Sequence, residues 1–249
     1  MSAAPTPPKR RLLFVIDSIA DDYGCTGIAS RAQQHAAGWH VDVLRFPGRR
    51  LADVRKELNG LNLGPFDAAI MHLGNAEVHP RMPRTPLRWL RRKGLTLARD
   101  GLFAIQPWPS WQWLFRIPLL CIRRVTIQLW PRAYSTPDGT LEHLVAIHDQ
   151  VRQWSQHVVV VPIFPVRPAL YGKAHNQAAS HVNARLASEG LRVANMPWCR
   201  PESARSHFNW DGFHLKDSFH ERAFDSLATA LRRAPDGATL ARLLQGHDA

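Results

Sequence analysis

Nothing in the 249 residues is long and apolar enough to cross a bilayer, which takes roughly 20 residues; the richest stretch, Ile117 to Ile122, is closed by Arg116 and Arg123. That excludes an integral membrane protein built on helices. A secretory leader is not expected either, because the apolar run LLFVI is broken at once by Asp17 and Ser18. The expected compartment is the cytoplasm. The cysteines number three, Cys25, Cys121 and Cys199, with no CxxC pair, so neither a disulfide framework nor a thiolate metal cluster is expected and the thiols read as free. No G-x-x-x-x-G-K-S/T loop occurs, which argues against a nucleotide-hydrolysing machine. His72 and His79, His143 and His148, and His175 and His181 lack the His-Glu-x-x-His spacing of a zinc site. No internal repeat is evident, so solenoids and propellers are disfavoured.

What remains is ordinary globular material. Hydrophobic residues make up 45% of the chain, enough for the core of one large α/β domain or two small ones. Residues 1–10, MSAAPTPPKR, read as a disordered tail, and 11–249 as a single domain. Lys and Arg outnumber Asp and Glu by 32 to 20, a net charge of +12. Such a charge suits nucleic acid, anionic lipid headgroups or phosphorylated substrates without choosing among them. Its densest run, Arg88, Arg91, Arg92 and Lys93 around Trp89 and Leu90, reads either as a patch for phosphate or an anionic membrane surface, or as a solvated helix face.

Along the chain, RLLFVI (11–16) has the pattern of a buried strand and 27–37 that of a helix. Gly38 stops that helix, WHVDVLRF alternates as a second strand, and LADVRKELNGL places Leu51, Val54 and Leu58 on one helix face. FDAAIMHL is a third strand ending at Gly74. After an irregular stretch come a helix over 141–154, the β-branched strand HVVVVPIF, a helix over 175–188 and a short strand LRVANM. Helices over 216–232 and 238–244 follow. Strands alternating with helices imply βαβ units and a parallel sheet. Residues 80–137 mix proline, arginine and five tryptophans, Trp89, Trp108, Trp111, Trp113 and Trp130, and read as an insertion.

In an open parallel sheet, functional groups gather beyond the carboxyl ends of the strands. Strand one ends in Asp17-Ser18, strand two runs into Gly48, strand three ends in Gly74-Asn75-Ala76-Glu77, and the terminal loop carries Asp211 and His214. Acyl transfer needs these residue types. A serine hydroxyl attacks only when a histidine takes its proton, a carboxylate fixes that histidine, and donors receive the oxyanion. Taken singly, each has a plainer reading: Ser18 as a helix cap, His214 as one of 13 histidines, Gly48 and Gly74 as turns. Asp21 and Asp22, beside the serine turn, read as solvated loop carboxylates.

Together, in this order, VIDSIADDYG, RFPGRR, HLGNAE and WDGFHLKDSFH resemble the four blocks of the SGNH, or GDSL, hydrolase family. The first family block contains Gly-Asp-Ser, the second a glycine, the third Gly-x-Asn-Asp and the last Asp-x-x-His. The resemblance covers roughly 11–78 and 141–232 and leaves out the aromatic middle. It implies a flavodoxin-like three-layer α/β/α sandwich with a central parallel sheet, and no metal or organic cofactor. It implies Ser18 as nucleophile, His214 as base, Asp211 as its orienting carboxylate, and an oxyanion hole from Ser18, Gly48 and Asn75. Two departures stand out. Ile16 replaces the first-block glycine, and Ala76 and Glu77 occupy the asparagine and aspartate positions of the third block, so that Asn75 falls one place early. Along an extended segment, one residue turns a side chain to the other face.

The implied reaction is attack of Ser18 on an ester carbonyl, with resolution of the acyl-enzyme by water or a second alcohol, so esterase and O-acyltransferase both stand. Trp108, Trp111 and Trp113 are candidates to line an acyl pocket or stack on sugars, with ordinary core packing as the alternative. The expected substrate is a small-molecule or glycan acyl ester, such as an acylated glycan precursor, with nucleic acid disfavoured. The competing reading is a catalytically weak SGNH-fold module that binds anionic glycan or lipid.

Overall fold

In the computed structural model, residues 10–22, 25–81, 121, 124–125, 127–129, 133–167, 171, 173–196, 208 and 213–247 are described. The sheet is built on β1 (Arg10–Ile16), flanked by β2 (Trp39–Arg45) and β3 (Ala68–His72), with β4 (Val158–Val160) beyond β3. All three pairings are parallel, in the order β2-β1-β3-β4. The chain moves from β1 to one side, then crosses to the other, so a switch point lies between β1 and β3, the place where open α/β sheets bind their ligands.

Side-chain alternation along β1 divides the core in two. Leu12, Phe14 and Ile16 pack with α1 (Ile28–His35), α6 (Asp217–Arg233) and α7 (Gly237–Leu244). Leu13 and Val15 face the other way, onto α2 (Leu51–Asn59), α4 (Pro137–Val151) and α5 (Ala174–Leu186). The period of two along a strand thereby produces three layers, the expected α/β/α sandwich.

Three details differ from the sequence reading. β1 begins at Arg10, the last residue assigned to the tail. α4 starts at Pro137, because Thr136 accepts from the Gly139 N–H and proline suits the first helical position. The strand expected over 191–196 contracts to one parallel bridge, Val193 with Val160. β4 itself is short because Pro162, two residues on, has no N–H to continue a ladder.

One element was not anticipated. Gly74 turns into the left-handed region at φ 105°, and α3 (Asn75–Val78) follows as a single helical turn. The third block is therefore helical where extended backbone was expected. Successive side chains there lie about 100° apart rather than on opposite faces. Residues 1–9 and most of the insertion lie outside the described residues. Among those described, no helix is long and apolar enough to cross a membrane.

Candidate active site

The Asp17 N–H donates to the His72 carbonyl at 2.9 Å, carrying the β1–β3 ladder one residue past the strand. Its buried carboxylate then accepts the Ile19 N–H through Oδ1 at 3.1 Å, the closure of an Asx turn. Ser18 rides on that turn, half-buried. Among the described residues its hydroxyl and its N–H have no hydrogen-bond partner, and the same holds for the Gly48 N–H.

Gly48 stands at the same rim. The Phe46 N–H donates to the Ile16 carbonyl at 2.8 Å, and Gly48 turns the chain at φ 66° into α2. That helix is held from across the site, because Glu77 Oε2 accepts the Leu51 N–H at 3.0 Å. The third-block acid is thus buried and serves to cap α2, occupying one of the four N–H groups a helix start leaves open.

Asn75, assigned by resemblance to the oxyanion hole, lies fully buried. Its carboxamide nitrogen is 3.2 Å from Asp17 Oδ2 and 3.1 Å from His72 Nε2, and its Oδ1 accepts the Phe164 N–H at 2.9 Å. A carboxamide has two hydrogens, and both are used. The side chain braces the ends of β1 and β3 against the segment after β4. Ala76, at the position of the family asparagine, brings no donor side chain. His72, accepting at Nε2, carries its proton on Nδ1, which is buried without a partner. Burial lowers its pKa, with Asp17 opposing.

His214 lies on the loop before α6, 9% exposed, with its ring centroid 5.0 Å from that of Phe213. Phe213 stands edge-on to His79 at 4.7 Å. The Cys25 thiol reaches the Leu215 carbonyl at 3.8 Å, and Arg31 pairs with Asp217 at 2.8 Å. The loop carrying His214 is therefore fastened both to the β1–α1 connection that bears Ser18 and to the segment after α3. Asp211, Trp108, Trp111 and Trp113 lie outside the described residues.

Sequence reasoning missed a second layer. His175 Nε2 must donate to the Phe164 carbonyl, 2.9 Å away, so His175 Nδ1 accepts from His79 Nδ1 at 3.3 Å. Both rings are buried, and desolvation brings the His175 pKa down to about 4. No spacing rule points to this pair, which is separated by 96 residues. Asp21 departs from the solvated reading, being half-buried, whereas Asp22 is exposed as expected. Asp21 pairs with Arg45 at 2.7 Å, and Asp22 accepts the Gly27 N–H at 2.6 Å and the Ser30 hydroxyl at 2.9 Å, shaping the start of α1.

The fold is that of the SGNH hydrolases. Among solved structures it is similar to TesA, with a TM-score of 0.51 and 16% identity over 87% of this chain and 94% of that one. It is also similar to LAE5, an alpha/beta hydrolase enzyme from the metagenome of Lake Arreo, Spain, at TM-score 0.50 and 12% identity, covering 96% and 95%. A catalytic mutant of Axe2, an acetylxylan esterase from Geobacillus stearothermophilus, aligns at TM-score 0.50 and 13% identity over 86% and 92%. No protein-family model and no curated protein matches the sequence.

Proposed function

We propose that this chain is a divergent SGNH-type serine hydrolase that cleaves or transfers an O-acyl ester through an acyl-enzyme on Ser18. The observation carrying this reading is the Ser18 turn. Asp17 clamps it from below, and among the described residues the hydroxyl is uncommitted and the N–H groups of Ser18 and Gly48, beyond the ends of the paired strands β1 and β2, are unengaged. His214 takes the hydroxyl proton and returns it to the leaving alcohol, while Asp211 orients the ring. Catalytic hydrogen bonds commonly close only when substrate binds, so a Ser18 hydroxyl without a partner is compatible with this role. The two backbone N–H groups receive the oxyanion, since Asn75 is committed elsewhere.

The similarity in fold to enzymes that include an acetylxylan esterase supports ester chemistry and a small acyl group on a glycan or glycan precursor. Trp108, Trp111 and Trp113 are assigned to the acyl or sugar pocket. The test is turnover of p-nitrophenyl acetate and longer esters by wild type and Ser18→Ala, with fluorophosphonate labelling mapped to its peptide. The expected loss in the variant is about a thousandfold or more. Equal rates would sink the catalytic reading. They would favour the second one, a binding module of the same fold, which the inward turn of Asn75 supports by removing a side-chain donor from the oxyanion hole.

A further inference from the structure

The net charge is not spread over the molecule. Between Val78 and Pro137 the sequence holds eleven of the 32 Lys and Arg residues but one of the 20 acids, Asp100, so ten of the twelve net positive charges fall in this stretch. The same stretch holds five of the nine tryptophans and the apolar run LFAIQPWPSWQWLFRIPLLCI. Cations mixed with tryptophan and long aliphatics are the composition of segments that lie in a membrane interface. Nucleic-acid surfaces share the cations, but outside intercalating wedges their contacts are mainly to phosphates and polar base edges.

The described residues supply the structural half of the argument. Positions 121, 124, 125 and 127–129 are helical. Ile127 is buried at 2% exposure, whereas Val125 and Leu129 are 54% and 63% exposed. Cys121, also exposed, precedes them by one helical step of four, so the three fall on one side of the helix, and Arg124 is exposed beside them. Large aliphatics this open stand out in a chain where, among the described residues, the other exposed large hydrophobic is Leu61 at 36%. The stretch also joins the protein at the candidate site. The Tyr134 N–H donates to the Glu77 carbonyl at 3.1 Å, the Arg81 guanidinium lies 3.7 Å over the Tyr134 ring, and it donates to the Ala76 carbonyl.

We infer that the helical positions Cys121, Arg124, Val125 and Leu129 form a docking surface for an anionic lipid bilayer. The aliphatics enter the acyl-headgroup boundary while the Arg124 guanidinium meets lipid phosphate, and the excess of cations in the surrounding sequence strengthens attachment in a salt-sensitive way. The inference concerns attachment and does not depend on ester turnover.

The test is co-sedimentation of the full chain with vesicles of phosphatidylcholine alone or mixed with phosphatidylglycerol, at low and high salt, with transfer RNA as a competing polyanion. Val125→Asp with Leu129→Asp, and separately Arg124→Glu, are exposed changes, checked for unchanged circular dichroism and Tm. The expected result is binding to the anionic vesicles that weakens with salt and falls about tenfold or more in the aspartate variant. Failure to bind anionic vesicles would overturn it, as would equal binding by the folded aspartate variant. Binding to transfer RNA with none to vesicles would assign the charge to nucleic acid instead. Ester turnover, assayed in parallel on a soluble substrate, reports separately on Ser18.

Discussion

Oδ2 of Asp17 receives two hydrogen bonds from Asn75, one from its backbone N–H and one from its carboxamide, each at 3.2 Å. The residue before the candidate nucleophile is thereby locked to the third block from inside the protein. Asn75→Ala removes the carboxamide bonds to Asp17, His72 and Phe164, leaving buried groups underpaired, at an expected cost of about 2–4 kcal/mol. Urea unfolding measures this loss. Turnover per folded molecule should fall less than tenfold, against the roughly 100- to 1,000-fold typical of losing an oxyanion donor. A hundredfold drop at unchanged stability would return Asn75 to the oxyanion hole.

Gly74 is the hinge that makes this arrangement possible. At φ 105° an added Cβ would stand 3.0 Å from Ile163 Cδ1, so Gly74→Ala suffers both backbone strain and crowding. A destabilisation of about 1–3 kcal/mol is expected, read from the thermal midpoint. A variant as stable as wild type would show that the turn relaxes freely.

Glu77 acts through its acceptor oxygen on the Leu51 N–H. Glu77→Ala should cost about 1–2 kcal/mol, the usual penalty for an uncapped helix start. Glu77→Gln keeps an acceptor oxygen, and its thermal midpoint should lie close to that of wild type. Equal losses in both variants would mean that the negative charge, rather than the hydrogen bond, matters.

Burial holds His175 and His220 neutral in the folded state, with pKa values of about 4 against 6.5 for a free imidazole; for His220, Arg31 adds to the effect. Between these values the unfolded chain binds more protons than the folded one, so stability rises with pH across this window. It is fully present above about pH 6.5 and is lost progressively as pH falls towards 4. Each group is worth up to about 3 kcal/mol. Unfolding curves at pH 7 and pH 5 should show the difference, and His220→Gln should flatten the slope. A pH-independent unfolding midpoint over this range would contradict the assignment.

The layered sheet was legible because burial on both faces leaves near-continuous apolar runs such as LLFVI and AAIM, and because Gly38 marks the end of the first helix. The placing of Asp17-Ser18, Gly48 and Gly74 just beyond the carboxyl ends of β1, β2 and β3 was legible for a related reason, since those ends lie side by side in a parallel sheet whatever their separation along the chain. The roles of Asn75 and Glu77 were not. Their part depends on a left-handed glycine that converts an expected strand end into a turn of helix, and φ at one residue has no signature in hydrophobic periodicity. The His79–His175 contact was hidden likewise, because only the fold brings those two rings together.

The bond from the Tyr134 N–H to the Glu77 carbonyl, with the Arg81 guanidinium over the Tyr134 ring, brings together two points far apart in the sequence. The entropy of closing such an excursion grows only with the logarithm of its length. A change in the length of the intervening sequence therefore adds little to the entropic cost of holding these two points together, and that sequence is the place to alter when the protein is to be redirected to a new surface with its strand register kept.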